Sequence, residues 1–346
     1  ISYGYQKKLK GRVFMKKLIL TVVMVLVLAG TVYAGGAAEG PMVAQTGELE
    51  QETYGMVVFL KGSEFFNWCY AGMVDAAKAI GPHVKVELQG PAEWDATLEA
   101  RAIDQLVAKR INGVLVTAGD AATLIPAINK ATAAGVPVIT FDSDSPDSDR
   151  LAFVGTNNYS AGYEAGKSMA EWLNGKGHIG ISTFPGPDHL QKRVEGFKDA
   201  LAKYGPAIKT SIVNDEGDVV KAETQLTALL QANPDINGVF AAHGNPGPGA
   251  AAAVRTLGLE GKVAIMGFDF GMPVIELIEN GEIQGTVGQN PYLMGYMAMI
   301  LAYSANHPTD VISAKAPFGH VPSNVDTGVA ILGVDEVQMY KNPPKF

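Results

Sequence analysis

The chain has 346 residues, 47% of them hydrophobic and 18% charged, which is enough apolar material for two domains of ordinary size and too little charge for a disordered chain. Its formal net charge is −8; residues 1–34 hold six basic side chains and no acid, leaving 21 basic against 35 acidic residues in the rest. That balance excludes a nucleic-acid partner, whose phosphates need a basic face, and a single cysteine, Cys69, excludes an internal disulfide.

Residues 1–14 are expected to be upstream sequence before a misassigned start. Residues 15–34 read as a signal peptide: Met15-Lys16-Lys17 opens a basic region, 18–29 are apolar, and Val32-Tyr33-Ala34 resembles a small-residue cleavage site. The alternatives for that segment are an uncleaved membrane anchor or a buried helix. Thr31 stands where a lipidated cysteine would be needed, so no lipid anchor is expected. Residues 35–52 read as a flexible leader. Cys69, beside Trp68 on a predicted helix, is expected to be a small buried apolar residue rather than a nucleophile.

A regular rhythm then begins. Short apolar runs at 54–60, 84–88, 114–117 and 136–141 predict strands, and the periodicity of 65–80, 96–110 and 122–134 predicts helices between them. The same alternation returns with helices at 162–173, 194–204, 222–231 and 250–257 and strands at 178–183, 211–214, 239–242 and 263–268. Apolar strands alternating with helices imply parallel sheets covered on both faces, so two doubly wound α/β lobes are expected.

An internal echo relates the lobes. Ile111-Asn112-Gly113-Val114 recurs as Ile236-Asn237-Gly238-Val239, and Phe141-Asp142, closing a strand, recurs as Phe268-Asp269 at nearly the same offset. Open α/β sheets bind ligands beyond the carboxyl ends of their strands. Asp142 and Asp269 would each stand at such an end, and a carboxylate facing a cleft can accept from two neighbouring hydroxyls, as a sugar or polyol offers. The alternative is that each aspartate caps the helix after it.

Taken in order, Ser63-Glu64-Phe65-Phe66, the run 135–142, Phe153-Val154-Gly155-Thr156-Asn157-Asn158, Arg193-Val194-Glu195-Gly196-Phe197, Gly267-Phe268-Asp269 and Gly288-Gln289-Asn290 resemble the ribose-binding-type periplasmic receptors. These share a fold with the sugar-sensing domains of lactose-repressor-type regulators, and the resemblance covers about 53–340. It implies an import receptor that hands a monosaccharide or polyol to a membrane ABC permease, without enzymatic activity or cofactor, and acting as a monomer. It also implies pocket roles: an aromatic wall from Phe65 and Phe66 beside Ser63; hydroxyl-binding carboxylates at Asp142 and Asp144; a planar donor at Arg193; an aromatic–aspartate pair at Phe268 and Asp269; Gln289 near a hinge; and His243 near a strand end. Trp68 and Trp94 are further candidates for stacking on the ligand. The pattern Asp142-Ser143-Asp144 resembles rhamnose and autoinducer-2 receptors more than ribose receptors, and Gly217 stands where an aromatic is expected. The resemblance places 53–156 and 289–319 in the first lobe and 157–288 and 320–340 in the second, with a three-segment hinge near 155–158, 288–291 and 319–323.

Two other functions compete. Gly247-Pro248-Gly249-Ala250-Ala251-Ala252 comes after a strand, opens a helix and precedes Asp269, as in an NAD-type oxidoreductase. Pro246 and Pro248 argue against it, since they remove two N–H groups from the loop that would cradle phosphate. A sensory receptor for a sugar or an autoinducer-2-like signal has the same sequence features as an import receptor. The run Asp142, Asp144, Asp147, Asp149 lacks the central glycine and closing glutamate of a calcium loop, so no metal is expected.

Overall fold

The computed structural model describes residues 49–185, 188–308, 321–342 and 344–345. The expected upstream segment and signal peptide, and most of the expected leader, lie outside the described residues. From Glu50 onward the chain is one compact unit.

The first lobe starts with β1 (Glu52–Val57), α1 (Glu64–Ile80), β2 (Val84–Gln89), α2 (Ala96–Ala108), β3 (Gly113–Val116), α3 (Ala121–Ala133), β4 (Val138–Phe141) and β5 (Ala152–Gly155). The second repeats the plan: α4 (Asn158–Trp172), β6 (Lys176–Thr183), α5 (Asp188–Tyr204), β7 (Ala207–Asn214), α6 (Val219–Ala232), β8 (Gly238–Ala241), α7 (Pro246–Thr256), β9 (Ala264–Phe268), α8 (Met272–Glu279) and β10 (Gly285–Gly288). Then come α9 (Pro291–Asn306), β11 (Asn324–Asp326), β12 (Ala330–Leu332), α10 (Val334–Val337) and a 3-10 turn, Gln338–Tyr340.

The two sheets have matching orders, β2-β1-β3-β4-β5-β11 and β7-β6-β8-β9-β10-β12. All pairings are parallel except β10 with β12. Each sheet is covered on both faces, because neighbouring residues of a strand point to opposite sides. In β1, Tyr54 and Met56 pack with Met294, Ala298 and Met299 of α9, while Val57 packs with Ile103, Leu106 and Leu124 of α2 and α3. In β8, Val239 and Phe240 likewise face different cores, and Phe240 stacks on Phe197 with ring centroids 4.2 Å apart. Fully burying one such large side chain contributes about 1.5–3 kcal/mol.

The repeated tetrapeptide has a physical cause. The Asn112 backbone N–H donates to Thr53 O, and its Oδ1 accepts from Thr53 N, both at 2.8 Å. Asn237 makes the same pair of bonds to His178, both at 3.0 Å. Each asparagine fastens the entry of one strand to the start of its neighbour.

The chain passes between the sheets after β5 and after β10, and a third time at 327–329, between β11 and β12. That third passage lies later than the expected 319–323. The region 320–340 does not belong wholly to the second lobe, because β11 pairs in parallel with β5 of the first sheet. A shared carboxylate ties two of the passages, since Asp326 Oδ1 accepts from the N–H groups of Asn157 at 3.1 Å and Gly328 at 2.9 Å.

Candidate functional site

Both sheets have the order 2-1-3-4-5 over their first five strands, so each has a switch point between its first and third strands, where a crevice opens beyond the carboxyl ends. One or two residues past those strands come Phe59 and Thr117 in the first lobe and Phe184 and His243 in the second. The two crevices meet in one cavity of about 870 Å³, lined by residues of both lobes.

Asp142 and Asp269 occupy equivalent places in it. Each is the residue after a strand, has a left-handed backbone (φ 60° and 64°), and donates its N–H to the next strand, Asp142 to Val154 O at 3.0 Å and Asp269 to Val287 O at 2.9 Å. Aspartate tolerates this conformation better than most side chains, and here it turns the carboxylate out of the ladder into the cleft. Neither caps a helix: Gly271 is the N-cap of α8, and no helix starts directly after Asp142.

In the cleft two carboxylates act on one guanidinium. Burial, and then the charge of Asp269, push the Asp142 carboxyl up to about 7, against the opposing pull of Thr117, Arg193 and Ser143. Thr117 donates to Asp142 Oδ2 at 3.2 Å. Burial lowers the Arg193 guanidinium to about 10, against the pull of Asp269 and Asp142. Arg193 lies 3.6 Å above the centre of the Phe268 ring and is held by Asn158 Oδ1 at 2.8 Å and Ala242 O at 3.1 Å. Asp269 Oδ1 accepts from Gln289 Nε2 at 2.8 Å, and Gln289 Oε1 accepts from Thr156 Oγ1 at 2.7 Å, so one chain of bonds links a carboxylate to two of the passages between lobes.

Opposite this group stand Ser63 and the start of α1. Ser63 is the N-cap residue of α1 but makes no side-chain cap bond, so its hydroxyl remains at the cavity. Phe65 is half-buried and lines the cavity; Phe66 lines it too and packs edge-on against Phe59 and Phe65, with centroids 4.8 and 5.6 Å away. His243 lines the second lobe's side, with Nε2 3.0 Å from Asp215 Oδ1. Burial works against the charge of Asp215, but His243, the Gly217 N–H and Ser182 outweigh it and hold the carboxyl below its ordinary range.

The cavity therefore brings together Ser63, Phe65, Phe66, Asp142, His243, Asp269 and Gln289. Arg193 and Phe268 stand behind this surface, with Phe268 fully buried as the platform under the guanidinium. Asp144 does not join the group. Arg150 grips it through Nε and Nη2, the latter at 2.7 Å, and Thr140 and the Ser145 N–H occupy the same carboxylate, which makes it a clamp on the loop after β4. Trp94 is exposed and lies off the cavity, whereas Trp68 lines it. At Gly217, with φ 76°, a Cβ would meet the Phe184 ring at 3.4 Å, so a ring from a neighbouring loop stands where the sequence lacks one. Cys69 is fully buried, and burial holds its thiol well above the ordinary value.

The strand-end rule also selects Phe59 and Thr117, which motif reading passed over. Phe270 and Tyr340 line the cavity as well; Phe270 comes directly after Asp269, but nothing in the sequence marks Tyr340, which arrives from the 3-10 turn. The glycines of 247–252 have a packing role. They lie within α7, and a Cβ on Gly249 would come 2.7 Å from Val219 O of α6. Among the described residues, no group of three or more His, Cys, Asp or Glu side chains is placed to hold a metal ion.

Known proteins share this arrangement. The chain is 26% identical over 260 residues to the ribose import binding protein of Bacillus subtilis, covering 74% of this chain and 82% of that one. It is 26% identical over 297 residues to the D-allose-binding periplasmic protein of Escherichia coli, covering 82% and 94%. Among solved structures, the sugar-binding protein of a sugar ABC transporter from Bacillus halodurans superposes with a TM-score of 0.79 at 34% identity, covering 84% of this chain and all of that one. An arabinose-binding protein from Geobacillus stearothermophilus superposes with a TM-score of 0.80 at 30% identity, also over 84% of this chain. The family described as periplasmic binding protein domain matches residues 54–306. With two equivalent lobes around one cleft and that match over most of its length, the chain belongs to the periplasmic binding protein family.

Proposed function

We propose that the protein is the extracytoplasmic receptor of an ABC importer, exported through residues 15–34 without a lipid anchor, and that it captures a monosaccharide or polyol in the cleft. The observation that carries this is the pair Asp142 and Asp269, one from each lobe, turned into one cavity, both acting on one buried arginine. Carboxylates accept strongly from neighbouring hydroxyls, and an uncharged polyol can satisfy both lobes at once. Phe65 and Phe66 offer ring faces to the C–H edges of the sugar, while Ser63, His243 and Gln289 supply further hydrogen-bonding groups along the lining. Arg193, behind that surface, supplies the positive charge that offsets the two carboxylates. The sugar-binding proteins among the relatives support the same class of ligand.

The test is a thermal-shift panel of pentoses, hexoses and polyols on the mature protein, with native mass spectrometry of the material as purified. One sugar should raise the melting temperature in a concentration-dependent way. Asp269→Ala should weaken its binding by roughly 2 kcal/mol or more, because buried hydroxyls and Gln289 lose their acceptor. A panel without any shift, together with mass spectra free of retained ligand, would remove this reading.

A further inference from the structure

The cavity is far larger than one sugar ring, and its lining changes character from one part to another. Asp142, Asp269, Gln289 and His243 make one part polar. Trp68, Phe270 and Tyr340 make another aromatic. We propose that the aromatic part is a second subsite, which takes a ring joined by a glycosidic bond to the sugar held between the carboxylates. The ligand class is thus a disaccharide or another glycoside. This deepens the sugar-binding reading and rests on it.

The three rings come from separate parts of the chain. Trp68 stands on α1, one helical turn beyond Phe65 and therefore on the same face. Phe270 is the residue after Asp269 in the second lobe. Tyr340 ends the 3-10 turn, and its neighbours hold it there: Gln338 Nε2 donates to Glu279 Oε1 of α8 at 2.6 Å, and Lys341 forms an ion pair with the same oxygen. The Tyr340 ring lies 4.1 Å from Phe270 at 33° and meets Trp68 edge-on at 5.9 Å and 75°. Trp68, carried by the first lobe, thus packs on a wall built by the second.

Such a set of faces suits a flat or chair-shaped ring with an apolar side. It attracts the C–H edges of a second sugar or stacks with an aromatic aglycone. Phe270 is itself buried behind Tyr340, so the surface left to a second ring is that of the half-buried Trp68 and Tyr340.

The experiment is isothermal titration of the full mature protein with D-glucose, D-galactose and L-arabinose, with their p-nitrophenyl glycosides, and with cellobiose and lactose. For whichever parent sugar binds, a glycoside or disaccharide bearing it should bind at least tenfold more tightly. Tyr340→Ala should abolish that gain, so that parent and extended ligand bind within twofold of each other, while Tyr340→Phe, which keeps the ring, should preserve it. A gain with disaccharides alone identifies a carbohydrate second ring; a gain with aryl glycosides as well identifies a general ring subsite. Equal or weaker binding of every extended ligand overturns the proposal. So does an equal loss for parent and glycoside in a Tyr340→Ala protein that melts normally. If no parent sugar or extended ligand binds, and the wider panel and the mass spectra are also blank, the sugar-binding reading itself falls, and the subsite with it.

Discussion

Single residues show most clearly what the sequence carried. The asparagines of the repeated tetrapeptide and the aspartates of the repeated Phe-Asp were visible as letters, and each pair makes equivalent backbone bonds in the two lobes. Asp144 was equally visible, but its partner Arg150 is not marked by any motif, so its role as a clamp could not be read. Glu99 gave no signal at all. It is fully buried on α2, accepts from the Gly119 N–H at 3.3 Å, and has its other oxygen without a hydrogen-bond partner; burial pushes its carboxyl up to about 8, mainly through lost hydration. The folded state therefore keeps a proton that the unfolded chain releases near the ordinary value of 4.5, and stability falls as pH rises from about 4.5 to about 8. Replacing Glu99 by Gln keeps the shape and removes the ionisation. Denaturant titrations should show the variant more stable than the parent by roughly 2 kcal/mol or more at pH 8, with the gap closing toward pH 5. A gap that does not change with pH would mean that Glu99 does not titrate in this range.

The rhythm of elements was legible wherever strands alternate with amphipathic helices, and it failed after 268. β11 and β12 have three residues each, too few for an alternating pattern. Nearly every position of α9 is apolar or small, so it lacks the polar stripe that reveals a helix, because it packs against both α1 and the sheet. The helix pairs also contain a symmetry that the letters hid. α9 packs on α1 through Gly295 and Gly72, where a Cβ would come 1.8 Å from Cys69 O and 1.9 Å from Tyr292 O. α4 packs on α5 through Gly162 and Gly196, with corresponding distances of 1.9 Å to Arg193 O and 2.1 Å to Tyr159 O. Beside each contact a tyrosine hydroxyl donates to an aspartate of the partner helix, Tyr292 to Asp75 at 3.2 Å and Tyr159 to Asp199 at 2.8 Å. A methyl group at either contact forces the helices apart, at a cost of about 1–3 kcal/mol. The functional effect should differ between the two lobes. Gly162→Ala pushes on the backbone of Arg193 and should lower both the melting temperature and the sugar affinity. Gly72→Ala should lower the melting temperature alone. Melting curves and titrations on the two variants separate these outcomes.

For the whole molecule, the doubling into lobes was readable, and the boundary of the third passage was not, because a three-residue strand decides it. The bond chain from Thr156 through Gln289 to Asp269 joins the first two passages to a carboxylate of the cleft. A ligand that draws on Asp269 therefore acts on the segments about which the lobes would turn. Adding the bound sugar should reduce the radius of gyration measured by small-angle scattering. Gln289→Ala should weaken binding roughly tenfold, about 1.4 kcal/mol, and shrink that contraction. If the variant contracts and binds like the parent, Gln289 is not part of the coupling.

The placement of β11 also bears on how the protein is made. The first sheet takes its last strand from 324–326, after five of the six strands of the second sheet have been laid down in between. A ribosome must therefore deliver almost the whole polypeptide before the first sheet can gain its sixth strand. Until then the outer side of β5 is an open edge, whose unpaired backbone N–H and C=O groups invite pairing with another chain.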